Sequence, residues 1–368
     1  MKQKSSSEEG HCHLAMPQIG ERPVSTTLNL TVFIGNGFDL SAGMKTGTAE
    51  FMDFFANKHE RDGGPVGRLA KKILEDGPQN WADFEKKLGE YAQVIEKTEK
   101  DPASAALDCK GAVDEALIDF IDKADSEVTD EFVKANAKSV IGSLACWFGA
   151  LQPREQGTIE RHYSSPYSLV VDFVTFNYTS LLPRLYAEFG SEGQTIPDDA
   201  KFVYAFKTRQ LVQIHSSLSR DPVCGVNDTS QIASNDLASN SDIANTYVKS
   251  EIQKLLGSKD DSDAASLLAR ADVLIIFGLS LGESDAQWWA AVVEQLKRNA
   301  SLFVVIASLD VPTSRRIPTA YLRLSKKIKG RLLRFGGVSD KEADTLSERI
   351  FIIPSEKIFQ FQETLPCG

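Results

Sequence analysis

The stretch Leu30-Thr31-Val32-Phe33-Ile34-Gly35-Asn36-Gly37-Phe38-Asp39 decides how this chain is read. Leu30–Ile34 is a short, β-branched, apolar run of the kind found in a strand covered on both faces. It stops at a turn holding two glycines, and residues 49–55 then read as a helix. Strand, glycine turn and helix together open a nucleotide-binding α/β sheet. Gly35 and Gly37 would let the backbone turn tightly and bring amide N–H groups toward a phosphate at a helix start. Asn36 and Asp39 add polar groups at the same strand end, where open α/β sheets bind their ligands. The pattern is GxG without the full GxGxxG, so a plain βα turn is the competing reading.

The other sheet signals lie far downstream. Residues 169–176, 273–277, 302–307 and 350–353 are apolar without alternation, which predicts parallel strands. Residues 201–206 and 210–214 read as two short strands joined by Lys207-Thr208-Arg209. Between 57 and 165 the spacing is helical instead. Asn80 suits the cap of a helix through Trp81, Phe84, Leu88 and Tyr91, and residues 112–124 and 129–151 suit two more. The expected fold class is therefore α/β, a Rossmann-like, mostly parallel sheet with a helical insertion. The expected division is a flexible tail over 1–27, a core over 28–56 and 166–310, an insertion over 57–165, and a basic helical segment with a last strand over 311–368. Residues 226–247, rich in Asn, Ser and Asp, are expected to form a mobile loop.

Three further polar motifs follow predicted strands. Asn177, in Thr175-Phe176-Asn177-Tyr178-Thr179, can aim its amide into a crevice or cap the next helix. His215, in Gln213-Ile214-His215-Ser216-Ser217, is the only histidine at a predicted strand end, and histidine suits proton transfer near neutral pH. In residues 278–285, Ser280 can bond a ribose or phosphate, and Asp285 can bond a ribose or cap a helix. Gly278-Leu279-Ser280-Leu281-Gly282 matches the GxSxG letters of a nucleophile elbow. No histidine follows His215, so the order Ser…Asp…His of such hydrolases fails. In a doubly wound sheet the strand C-terminal ends converge on one crevice. The candidate site is thus Gly35, Asn36, Gly37, Asp39, Asn177, His215, Ser280 and Asp285. His11-Cys12-His13 is spaced too tightly for a tetrahedral site and has no fourth ligand near it, so no metal is expected.

Composition narrows the function further. Of the 368 residues 42% are hydrophobic and 25% charged, which excludes a wholly disordered, collagen-like or disulfide-dense chain. A net charge of −10 argues against a general polyanion binder. Every charged residue from Arg315 to Arg334 is nevertheless basic, with Leu324, Ile328 and Leu332 at helical spacing. Such a strip can grip a phosphate backbone, but a solvated basic face is the commoner reason for one, and no carboxylate set suits a metal nuclease. The 5 cysteines are scattered and form no CxxC pair, which fits a reducing cytoplasm. No apolar run is long enough for a bilayer, and the first residues lack a secretory apolar region.

The ordered motifs carry a family resemblance. Phe33–Leu40 with Gly43-Met44-Lys45-Thr46 and Phe51 resembles the opening of AbiH-type phage abortive-infection proteins. Trp81-Ala82-Asp83-Phe84-Glu85 resembles that family's Trp…Glu helix motif. Residues 175–179, Ile214-His215 and residues 277–285 follow in the family's order. The family usually has His-Gly where this chain has His215-Ser216, and Gly-His-Ser where it has Gly278-Leu279-Ser280. The motif order is also similar to that of sirtuin-like NAD-consuming domains. That resemblance implies a sirtuin-like fold and an antiphage effector that hydrolyses NAD at the nicotinamide–ribose bond, without a metal. It implies Asn177 and His215 as catalytic residues, and Gly35, Asn36, Gly37, Asp39, Ser280 and Asp285 as binding residues. A non-catalytic nucleotide sensor is the alternative, favoured by Ser216 and Leu279, and nucleic-acid binding is a weaker one. NAD or a related nucleotide is the expected partner, with a phage-derived trigger and self-association compatible with the family.

Overall fold

A computed structural model gives the fold and describes residues 27–163, 167–189, 203–215, 222–311 and 318–365. The sequence readings at His11-Cys12-His13, Ser216, Arg315 and Arg316 lie outside the described residues.

Six strands form one sheet: β1 (Thr27–Ile34), β2 (Tyr167–Thr175), β3 (Val203–Gln213), β4 (Val273–Phe277), β5 (Phe303–Ser308) and β6 (Ile350–Pro354). Their order is β3-β2-β1-β4-β5-β6 and every pair is parallel. This is the strand order of a Rossmann-like α/β fold, with the topological switch beside β1. Apolar side chains on both faces of each strand explain the parallel arrangement. Along β1, Leu30, Val32 and Ile34 enter one core and Phe33 enters the other.

After β1 come α1 (Gly37–Ser41), α2 (Thr48–His59), α3 (Gly64–Asp76), α4 (Phe84–Thr98), α5 (Pro102–Ser126), α6 (Asp130–Ala145) and α7 (Pro153–Glu160). All described secondary structure between β1 and β2 is therefore helical. Phe51, Phe55, Trp81, Leu88 and Tyr91 gather in a third core, distinct from the two against the sheet. α8 (Leu181–Phe189) follows β2. Between β3 and β4 lie α9 (Asn235–Ala238), α10 (Ser241–Tyr247), α11 (Lys249–Leu256) and α12 (Asp260–Ala269). Then α13 (Ala286–Arg298) joins β4 to β5, and α14 (Pro318–Leu333) and α15 (Asp340–Ser347) lie between β5 and β6.

Several local readings need correction. Two strands joined at Lys207-Thr208-Arg209 are not formed; Val203–Gln213 is one strand. Lys207-Thr208-Arg209 resembled a turn, yet Thr208 is buried and Arg209 sits at a register shift in the ladder. There its guanidinium bonds the fully buried Asp172 carboxylate of β2. Residues 226–247 do not form one loop. Three of their polar residues cap short helices: Asp228 accepts from Ser230 N, Ser234 from Leu237 N, and Asn240 from Ile243 N. Asp83, and not Asn80, caps α4. The third predicted helix starts after its cap Thr129 but ends at Ala145, and a separate 3₁₀ turn covers Trp147–Ala150.

The turns after β1 and β4 are built into each other. Gly35 N donates to Phe277 O at 2.9 Å, and Gly37 N donates to Gly278 O at 3.0 Å. A Cβ on Gly37 would lie 2.5 Å from Gly278 Cα. Gly278 itself has φ +68°, where a side chain is strained. Replacing Gly278 by Ala should destabilise the fold by about 1–3 kcal/mol through strain and overpacking. Urea unfolding measures this, and an unchanged midpoint would show that the two turns do not depend on their contact.

Candidate functional site

The register of the sheet assembles the site. Ile34 of β1 lies opposite Thr175 of β2 and Phe277 of β4, and Thr175 lies opposite Gln213 of β3. The residues that follow these four therefore emerge at one edge of the sheet. Gly35, Asn36, Gly37, Asp39, Asn177, His215, Ser280 and Asp285 all line a single cleft of about 970 Å³. Phe84 and Phe120 of the helical insertion line it too.

The contacts of these residues differ from simple ligand-binding roles. The amides of Gly35 and Gly37 are already spent on Phe277 and Gly278, so they do not form a free phosphate cradle. Asn36 is tied to Thr46 in both directions: its Nδ2 donates to Thr46 O, and Thr46 Oγ1 donates to its Oδ1. It braces the turn. Asn177 does not cap α8; its Nδ2 donates to Gly35 O at 3.1 Å, joining the ends of β1 and β2. Ser280 is exposed at the cleft mouth. In Gly278–Gly282 the non-glycine residue with positive φ is Leu281, at 53°, and not Ser280. The strained serine of a nucleophile elbow is thus missing.

Asp39 is the unusual group. It is 1% exposed, its Oδ2 accepts from Thr179 Oγ1 at 2.8 Å, and its Oδ1 has no hydrogen-bond partner. Burial raises its carboxyl to about 7; the Thr179 hydroxyl opposes this, Asp125 adds to it, and the Asn177 amide opposes it more weakly. A carboxyl that titrates near neutrality, with one oxygen unclaimed, can take a proton from a water or hydroxyl in the cleft.

His215 is held from all sides. Its ring stacks on Tyr178 and meets Phe176 edge-on. Nδ1 lies 3.0 Å from Phe176 O, an acceptor, so that nitrogen donates. Nε2 lies 3.2 Å from Asp285 Oδ1. Both ring nitrogens face acceptors, and neither offers a free lone pair to the cleft. Asp285 is not free to bind a ribose through the same oxygen, because Lys249 Nζ also sits 2.8 Å from Oδ1. Nor does Asp285 cap α13 with its side chain.

Lys249 and Glu85, neither of them in the candidate site although Glu85 closes the Trp81–Glu85 motif, complete a buried chain. Lys249 Nζ donates to Glu85 Oε2 at 2.8 Å, and Glu85 Oε1 accepts from Gly225 N at 3.0 Å. Burial alone would lower the Lys249 ammonium, but the Asp285 and Glu85 carboxylates overcome it and hold it above its ordinary value. Burial alone would raise Asp285; Lys249 and His215 overcome that and hold it below the usual carboxylate range. Glu85 carried a signal in the sequence, since it ends the Trp81–Glu85 motif and lies on α4 with the buried Leu88 and Tyr91. Lys249 carried none: it opens α11 just beyond the polar stretch read as a loop.

The family model described as "Bacteriophage abortive infection AbiH" matches residues 32–306, which is more than half of the chain. No curated protein matches it.

Replacing Lys249 by Met leaves two buried carboxylates without their cation and should destabilise the protein by about 3–5 kcal/mol, read by urea unfolding. A shift below about 1 kcal/mol would mean that the network is not holding the insertion to the sheet. Asp39 gives a pH signature. Its folded carboxyl titrates near 7, above the ordinary 3.8, so between these values the native state binds a proton that the unfolded chain lacks. Stability from this group is complete below about pH 4, falls as pH rises, and is gone above about pH 7. The Asp39→Asn variant should lack this decline. Its advantage over wild type should grow by a few kcal/mol from about pH 4 to about pH 8, at roughly 1.4 kcal/mol for each pH step of one. Parallel pH profiles for the two proteins would show that Asp39 titrates normally.

Proposed function

The chain belongs to the bacteriophage abortive infection AbiH family, and from that premise we propose that it acts by hydrolysing NAD at the nicotinamide–ribose bond. Family membership supports a role in phage abortive infection. The step to NAD rests on the cleft at the topological switch, where α/β sheets take nucleotides. It rests above all on one observation: the buried Asp39 carboxyl, pushed to about 7, lines that cleft beside Asn177 and carries an unclaimed oxygen.

In this proposal a water adds to C1′ of the nicotinamide ribose as the C1′–nitrogen bond breaks. Nicotinamide leaves with the bonding electron pair, neutralising its ring charge. The water proton passes to Asp39 Oδ1, which is enclosed in this structure and must be opened to the cleft by a shift of its neighbours, and ADP-ribose is the other product. The anionic form of Asp39 also favours the oxocarbenium character that develops at C1′. Asn177 positions the reacting groups by holding Gly35 O. His215 was expected to be the base, but both its nitrogens face acceptors. Its proposed part is to fix Asp285 and the floor of the cleft against the ribose.

A nucleotide sensor that binds without turnover is the second reading. It is favoured by the spent amides of Gly35 and Gly37 and by Leu279, which packs where a Cβ on Gly35 would stand.

Purified protein, with and without phage lysate, incubated with NAD and followed by mass spectrometry tests the two readings. Asp39→Asn should lose about 10²–10⁴-fold in turnover, the range of proton-transfer catalysis. Asn177→Ala should also lose turnover. The wild-type rate should rise with pH through about 7, as Asp39 loses its proton. Binding without turnover in wild type would replace the enzyme by the sensor, whereas full activity in Asp39→Asn alongside loss in His215→Ala would return the base role to the histidine.

A further inference from the structure

We propose that Lys327 and Arg331 of α14 form the anion subsite of the cleft and hold the phosphates of its nucleotide, an assignment that rests on the nucleotide reading above. Both side chains line the cleft and both are exposed to it. They stand four residues apart on a helix, so they are neighbours on one face. Like charges at that spacing repel, and an anion between them removes the repulsion.

Arg331 Nη1 donates to Ser280 O at 3.2 Å, which sets the guanidinium beside the loop that leaves β4. An arginine has five N–H donors, so most of its fork remains for a ligand. Among the described residues, Lys327 has no hydrogen-bond or ion-pair partner. The need for such a subsite follows from the glycine turn. Phosphates usually meet backbone amides after the first strand. Here the amides of Gly35 and Gly37 donate to Phe277 O and Gly278 O instead. A diphosphate therefore needs donors from another wall, and α14 supplies the cations.

The same helix offers the neighbouring chemistry. Leu324 and Ile328 line the cleft beside the two cations, as does Leu279. This apolar surface suits the face of a nucleobase. Asp310 and Glu356 also line the cleft, and carboxylates there suit ribose hydroxyls and repel a long polyanion. The pattern fits one nucleoside diphosphate moiety better than a nucleic-acid strand. Lys327 and Arg331 lie beyond the residues matched by the family, so the subsite is a reading of this chain's own C-terminal part.

Isothermal titration calorimetry of the full chain with ADP-ribose, inorganic pyrophosphate and adenosine tests the proposal. The proteins are wild type, Lys327→Ala/Arg331→Ala, and Lys326→Ala, an exposed cation of the same helix that does not line the cleft. The double variant should bind ADP-ribose and pyrophosphate about tenfold or more weakly, the scale of a lost charge-assisted contact. Its adenosine affinity should be unchanged, and Lys326→Ala should stay within about twofold of wild type, as expected of a screened surface charge. Unfolding curves of the variants should overlay, because the replaced side chains are exposed. If the double variant keeps full ADP-ribose affinity while wild type consumes NAD, the subsite is wrong and the hydrolysis reading stands. If pyrophosphate binding is lost in the double variant but wild type consumes no NAD, the subsite stands and hydrolysis falls. If wild type binds neither pyrophosphate nor ADP-ribose, the subsite is overturned, and NAD consumption alone decides the hydrolysis reading.

Discussion

One buried ammonium ties the helical part of this protein to its sheet. Lys249 is 2% exposed and bonds Glu85, from the insertion, and Asp285, from the loop beyond β4. Burying a lone charge is prohibitively costly, so the cation is stable there only while both carboxylates stay close. That requirement fixes three segments at once: α4, the start of α11 and the turn leading into α13. It also reaches His215, whose Nε2 shares the Asp285 oxygen with Lys249. A movement of α4 that pulls Glu85 away would leave Lys249 underpaired and alter the environment of His215. The insertion is thus connected to the cleft through charge as well as through packing: α6 and α7 share the core of the sheet, whereas α2 to α5 pack mainly in a third core with residues of the segment 224–248.

A second constraint acts across the switch point. The glycine turn after β1 has no room for a side chain against Gly278, and its amides complete the hydrogen bonding of the turn after β4. In many nucleotide-binding sheets the equivalent amides wait for a phosphate. Here they rigidify the floor of the cleft, of whose lining Asp39 is a buried part. A desolvated carboxyl at the start of α1 has two ways to be stable: remain protonated or find a partner. With Oδ1 unclaimed, Asp39 is held near the balance between the two. Such a position suits a group that must exchange a proton, and it suits purely structural roles poorly.

The sequence made the sheet legible because β1, β2, β4, β5 and β6 are mainly apolar, broken in β1 and β2 by only a few polar residues such as Thr31 and Asp172, and a strand end marks the ligand edge wherever a sheet is parallel. This is why residues as distant as Gly35, Asn177, His215 and Ser280 could be brought to one cleft from spacing alone. The partners of those residues were not legible. Asp285 looked like a ribose ligand or a cap because a local motif does not reveal that the tertiary fold brings Lys249 to it. Arg209 looked like part of a turn because its compensating charge, Asp172, lies on another strand. The stretch 226–247 looked like a loop because Ser234 and Asn240 are as common in loops as in caps. In each case the local residue type was ambiguous, and a long-range contact decided it.

The walls of the cleft also come from segments with different origins in the chain. The family match ends at Ile306, inside β5. β6 and α14 lie beyond it, yet β6 pairs with β5 as part of the same sheet, and α14 packs Ile328 and Leu332 into the core under β4 and β5. The C-terminal residues are therefore not an appendage. They close the sheet on one side and present a basic helix to a cleft whose other polar groups are carboxylates, amides and hydroxyls, with one histidine. In a protein of net charge −10, this is where an anionic ligand would find its strongest attraction. The reacting end of a ligand would then lie toward Asp39 and Asn177 and its charged end toward α14, a polarity set by the fold, because β1 and β5 stand on opposite sides of β4.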